Sequence, residues 1–193
     1  MSKVVIDMSM SLDGFVAQPD QDPGRLHEWV FPGGDNGDME AAVARLAGVN
    51  RQIYDEFMAT GAVVAGRGTF EPAKGWGGDH HDGVPIWILS RHAAPEWVQK
   101  WPLVHYVQNL AEAMRAAKAA AGGKDVLVHG AGIAQRAIPA GLLDEIEIHL
   151  VPVLFGEGRR LFDHLGVTER ELERVRVLEG EGGVVHLRYR VRG

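Results

Sequence analysis

The chain has 193 residues, 46% hydrophobic and 24% charged, with 20 basic against 26 acidic side chains and a formal net charge of −6. One good core is within reach of that length and two are not. The acidic balance offers nucleic acid no attractive field, no apolar run approaches membrane-spanning length, and the absence of cysteine excludes disulfides and makes a cytoplasmic setting the expectation.

Lys3 to Met8 reads as a buried strand, and residues 10–37, rich in Gly, Pro and Asp, as loop. Met39 to Ala59 is helix-compatible, with Gly48 as a break and Gly61 as a C-terminal stop. Ala62 to Ala65 is a short apolar strand that ends at Gly66-Arg67-Gly68-Thr69, after which Phe70 to Lys74 can turn helically. Pro85 to Ser90 and Leu103 to Gln108 are further strands, followed by an alanine-rich helix, Leu110 to Ala121. Strand 125–129 runs into Gly130-Ala131-Gly132 and helix 133–140. A long strand then spans Asp144 to Phe155; its alternating start, Glu145-Ile146-Glu147-Ile148, is expected to show one face to water. Val175 to Leu178 and Val184 to Val191 close the chain as a hairpin about Gly180 to Gly183.

Strands alternating with helices through residue 140 predict a three-layer α/β fold. Its central sheet is mostly parallel with helices on both faces, and the C-terminal antiparallel hairpin is added at an edge. No repeat, low-complexity tract or linker divides the sequence, so residues 1–193 read as one domain.

In such a sheet ligands collect beyond the carboxyl ends of the strands. The residues there are Ser9 to Asp13, Gly66 to Thr69, Ser90-Arg91, His129 to Gly132 and Phe155 to Arg160. Two glycine turns, hydroxyls and arginines at successive strand ends suit a phosphate-bearing nucleotide, because glycine lets backbone N–H groups approach the anion and arginine matches its geometry. Gln135 stands where a full GxGxxG would have its third glycine, so the motif alone does not separate a nucleotide site from a plain strand-to-helix turn. Neither a nucleophile elbow nor a Walker-type Gly-Lys-Ser/Thr is present, which removes hydrolase and kinase readings.

Ser11-Leu12-Asp13-Gly14-Phe15-Val16-Ala17, Gly66-Arg67-Gly68-Thr69-Phe70-Glu71, Leu89-Ser90-Arg91, His129-Gly130-Ala131-Gly132 and Leu154-Phe155-Gly156-Glu157-Gly158 occur in this order. Together they resemble the dihydrofolate reductase superfamily, most closely the C-terminal reductase domain of riboflavin biosynthesis and its stand-alone bacterial relatives. The resemblance implies NADPH as cofactor, a homodimer, and reduction of a small pterin- or pyrimidine-like heterocycle, as in 5-amino-6-(5-phosphoribosylamino)uracil reductase. Carried over by position, Gly66, Arg67 and Thr69 match the turn that meets cofactor phosphates. Ser90 and Arg91 match the strand end at the adenosine 2′-phosphate, and Gly130, Gly132 and Ile133 the turn at the pyrophosphate.

Two departures bear on the substrate. The riboflavin reductase domain usually has glutamate before the second glycine turn and often lysine after Asp-Gly, where this chain has His129 and Phe15. Its phosphoribosyl intermediate is therefore expected to be a weak substrate. Asp55 and Glu56 are out of register with the helical acid of dihydrofolate reductase, so dihydrofolate is expected to be poor as well. A nucleotide- or pterin-binding protein without turnover is the alternative, and an interaction module without ligand a third reading.

Asp13 is the first candidate for a substrate contact or proton relay, against a plain Asp-Gly turn. His129 is a candidate donor to a substrate carbonyl, against a structural histidine. Trp76 is a candidate wall of the substrate pocket. Asp79-His80-His81-Asp82 reads as a mobile loop rather than a metal site, because adjacent residues on an extended loop diverge. Glu157, Arg159 and Arg160 read as a charged loop.

Overall fold

A computed structural model describes residues 2–31, 39–166 and 169–192. Its eight-stranded sheet has the order β5-β4-β3-β6-β1-β7-β10-β9, with β1 Val4–Ser11, β3 Ala62–Gly66, β4 Ile86–Leu89, β5 Val104–Val107, β6 Val126–His129, β7 Glu145–Val151, β9 Leu172–Glu179 and β10 Val185–Val191. The pairs from β5 through β7 are parallel, and β10 joins β7 and β9 antiparallel. This is the architecture expected from the alternation of strands and helices.

The stretch 39–59 forms two helices, α1 Met39–Ala44 and α2 Gly48–Met58, and Gly48 opens the second at φ +56°. In the segment read as loop, β2 (Phe15–Ala17) pairs with β8 (Arg159–Arg160) as a separate two-stranded sheet, and Gly24–His27 forms a 3-10 turn. The rest of that reading, 32–37, lies outside the described residues. The long strand stops at Val151, and α3 is the short Arg67–Phe70.

Helix α4 (Leu110–Ala120) starts where Asn109 accepts the Glu112 N–H, and its apolar side chains recur at 110, 113, 114 and 117. With α5 (Ala131–Ala137) it covers one face of the sheet, meeting Val4, Ile6, Val64, Val126, Val128, Ile146 and Ile148. On the other face Phe57 of α2, Phe70 of α3 and Val98 pack on Val63, Ala65, Ile86, Ile88 and Leu127. Helices thus lie on both faces. Among the described residues no helix is long and apolar enough to cross a membrane.

The Glu145–Ile148 alternation does not face water. Glu145 and Glu147 are 1% and 2% exposed, and they meet Lys3, Arg188 and Arg176 across the sheet. Period two showed a two-faced strand; the arginines that cover the polar face come from β9 and β10, about thirty to forty residues downstream.

Candidate functional site

The turns after β4, β3 and β6 are adjacent because those strands are neighbours, and at about 4.8 Å per strand they fall within roughly 10 Å. Gly130 leaves β6 at φ +94°, and a Cβ there would lie 2.4 Å from Thr69 Oγ1, so the two turns touch at a position that admits no side chain. Nothing stands within 4 Å of the Cβ position at Gly132, which leaves that face open. Ile133 is buried and packs beneath Gly66, so its contribution is to hold the two turns together.

Ser90 spends its hydroxyl on its own turn, donating to His92 O at 2.8 Å and accepting the His92 N–H at 2.9 Å. The turn carries Arg91, which is exposed and has no ion pair among the described residues. Arg67 is engaged: Nε and Nη2 reach Glu71 at 2.7 and 2.9 Å and hold that carboxyl below its ordinary range. Tyr106 donates to Glu71, and burial together with that carboxylate pushes the phenol up to about 12.

A cation taken for loop charge joins these turns. A Cβ on Gly68 would lie 3.6 Å from an Arg159 guanidinium nitrogen, and Arg159 shares with Gly132 and Gln135 an open groove of about 660 Å³. Its neighbour Arg160 lies over the Phe15 ring at 4.4 Å and donates to Asp13 O.

Asp13 accepts from Ser11 Oγ at 2.6 Å, from Gly156 N–H at 2.7 Å and from Phe155 N–H at 3.2 Å. The Ser11 hydroxyl and these amides hold it down at about 2. At neutral pH it is an anion with no proton to give, and its geometry is that of a clamp tying residues 155–156 to the first strand.

The loop read as mobile is packed. His80 shares short contacts with His81 (2.7 Å) and His129 (3.1 Å), and His81 is buried against Thr60. Trp76 and Phe57 enclose the group, with centroids 4.7 and 5.5 Å from His80. Lys74 to Gly78 all have positive φ, and Gly75 and Gly78 pack against Trp101, with which a Cβ at either would collide. Burial, then the neighbouring histidines, lowers His80 to about 2; burial lowers His129 to about 4. Both imidazoles are neutral at pH 7.

A second polar row lies one strand away. Asp7 Oδ1 is 2.9 Å from His149 Nε2, His149 Nδ1 is 2.9 Å from His186 Nδ1, and His186 Nε2 is 3.0 Å from Asn50 Oδ1. Trp29 packs on both imidazoles at 4.5 and 4.9 Å and donates to Ser9 Oγ. The α2 carboxylates are engaged elsewhere, Asp55 with Arg51 and Glu56 with Arg176, so the helix gives this row an amide. The sequence reading missed Asp7, Asn50, His149 and His186. For the three strand residues the only signal was a period-two register, and Asn50, in the first turn of α2, had none.

Residues 2–186 match the sequence pattern of the RibD C-terminal domain. The chain belongs to that family. No curated protein sequence matches it. Among solved structures it is similar to a Shewanella sp. PV-4 protein provisionally assigned to riboflavin biosynthesis (19% identity, 99% of both chains, TM-score 0.71). A pyrimidine reductase-like protein of Corynebacterium diphtheriae is another (14%, 100% of this chain and 92% of that one, 0.66). A third is the Thermotoga maritima diaminohydroxyphosphoribosylaminopyrimidine deaminase/5-amino-6-(5-phosphoribosylamino)uracil reductase (12%, TM-score 0.64), where the RibD C-terminal domain chain is covered to 99% but spans 57% of that protein. At these identities the likeness is one of fold.

Proposed function

We propose that this RibD C-terminal domain protein is an NADPH-dependent reductase of a small heterocycle with a C=N or C=O bond, pterin-like or pyrimidine-like. The observation that carries this reading is the set of three touching or adjacent turns at the carboxyl edge, with Arg91, without an ion pair among the described residues, on one and Arg159 reaching between the other two. The open face at Gly132 and the closed contact at Gly130 fit a backbone cradle for phosphate. When bound, the cofactor supplies a hydride to the acceptor carbon.

In this reading Arg91 binds the 2′-phosphate, Ser90 shapes the turn beneath it, and Arg159 joins Gly66, Arg67, Thr69, Gly130 and Gly132 around the pyrophosphate. Trp76, Phe57 and the neutral His80–His129 pair wall the acceptor side and exclude water. The Asp13 clamp holds the loop that carries Arg159. A second copy of the chain covers β9, whose Leu172, Val175 and Val177 are each more than 40% exposed. Light scattering at micromolar concentration is expected to report a dimer, and a monomer would remove this part.

Calorimetry tests the cofactor. NADPH should bind more tightly than NADH, and Arg91→Ala should weaken NADPH by roughly 10- to 150-fold, one charge-assisted bond of about 1.5–3 kcal/mol, while leaving NADH unchanged. Gly132→Val should weaken both; a Cβ there meets nothing of the protein within 4 Å, so the loss would be the ligand's. Equal affinity for the two nucleotides would end the Arg91 assignment, and no binding of either would end the reductase reading.

A further inference from the structure

The row Asp7–His149–His186–Asn50 can be counted proton by proton. Asn50 Nδ2 gives its hydrogens to Trp29 O and Glu181 O, each at 3.2 Å, so Oδ1 faces His186 as an acceptor. The row therefore runs between two acceptors, a carboxylate and an amide oxygen, through two imidazoles and three contacts of 2.9–3.0 Å. Three hydrogen bonds need three hydrogens, and two neutral imidazoles bring two. One further proton is required. Burial, then His149, lowers His186 to about 4, so His186 is neutral with its hydrogen on Nε2. His149 must then donate from Nδ1, and the extra proton lies in the remaining contact, between His149 Nε2 and Asp7.

The place of that contact is informative. β1 and β6 pair as Val5 with Leu127 and Ile6 with Val128, which brings Asp7 level with His129, the last residue before the Gly130 turn. His149 and His186 are 2% and 0% exposed beneath Trp29, whereas Asp7 lines a cavity of about 220 Å³ under α2, with Phe57, Thr60 and Leu127. Asp7 is thus the row's end toward the cavity. The cavity is smaller than pockets for drug-sized ligands, about 300–1,000 Å³, and suits a ring without a phosphoribosyl arm. The titratable and charged groups around the row are Glu147 of β7, Arg188 of β10, Arg176 of β9, Glu56 of α2, Asp125 before β6, the neutral His129 of β6 and Glu181 before β10.

We propose that Asp7 and His149 share one stored proton, and that Asp7 delivers it to the ring nitrogen of the acceptor heterocycle. The proposal rests on the reductase reading for its acceptor but not for its proton count. Reduction of a C=N bond takes a hydride at carbon, the cofactor's contribution as it is oxidised to NADP⁺, and a proton at nitrogen as the π pair moves there. The pair supplies that proton, is left as a carboxylate against a neutral imidazole, and is refilled from water through the cavity. Asp7 is the catalytic residue; His149 and His186 position and reload it.

Long-range proton–nitrogen NMR of the full-length labelled protein at pH 7, with the Asp7 carboxyl carbon read alongside, tests the count without any cofactor. The expected result is His186 protonated on Nε2 alone, with either a doubly protonated His149 or a protonated Asp7 carboxyl. Two singly protonated imidazoles beside an ionised Asp7 would overturn the proposal. In Asp7→Asn the stored proton should be lost, so that each of the two imidazoles keeps a bare nitrogen. NADPH affinity should change less than about twofold, and reduction across a pterin and pyrimidine panel should fall by about 10²- to 10⁴-fold with loss of the wild-type pH profile. Wild-type turnover unchanged by Asp7→Asn would overturn Asp7's role. Absence of NADPH binding by the wild type would instead overturn the reductase reading and leave the NMR result standing.

Discussion

Under α4 and α5 the sheet meets its helices through apolar side chains, while on the opposite face β1, β7, β10 and β9 bury Glu145, Glu147, His149 and His186 against the half-buried Asp7, Arg188 and Arg176. The same strands supply both faces, because neighbouring residues point to opposite sides. Apolar burial is non-directional and tolerates a change of shape. Buried charges hold only as complete sets, since a carboxylate out of water and without its partner is costly. The first face is where stability is gathered; the second is where geometry is specified, and the polar row of the candidate site lies within it.

The sharpest break in that contrast is Arg176→Met. It takes from Glu147, 2% exposed, and from Glu56 the nearer of two guanidinium partners, leaving Arg188 at 3.4 and 3.7 Å, and should cost about 3 kcal/mol in urea unfolding. Adding Glu147→Leu should restore most of the loss, because the under-compensated charge leaves with its partner; additive losses would show that the polar face behaves like the apolar one. Acid sharpens the same difference. His80, His129 and His186 titrate below the ordinary value of 6.5 in the folded chain, so the unfolded chain takes protons first as pH falls. Stability is full above pH 6.5 and declines toward pH 4, by on the order of 2 kcal/mol per histidine at pH 5. Equal unfolding free energies at pH 7 and pH 5 would contradict the neutral packing of these rings. Smallest should be Ile6→Val on the apolar face, at about 1 kcal/mol, although Ile6 is fully buried.

The carboxyl-edge turns were legible in the sequence because each follows a short apolar run, two of them with glycines and the third with Ser90-Arg91; the order of strands then made them neighbours. The polar face was not. Glu145 and Glu147 alternate with isoleucines whether water or arginine lies opposite, and nothing local in β7 tells the two apart. His80 and His81 looked like loop for the same reason, since their partners Thr60 and His129 are about twenty and fifty residues away. β2 and β8, three and two residues long, are too short to show a period.

The contact between Gly130 and Thr69 also has a kinetic meaning. With no space between them, the turns after β3 and β6 cannot breathe independently, and Ile133 wedges both from below. Under the proposed function, a cradle of this kind is in its receiving shape before a guest arrives, so little of the binding free energy would go to ordering the backbone. Differences in residence time among nucleotides should then come from the side chains at its rim, Arg91 and Arg159, while the rate of entry stays nearly constant.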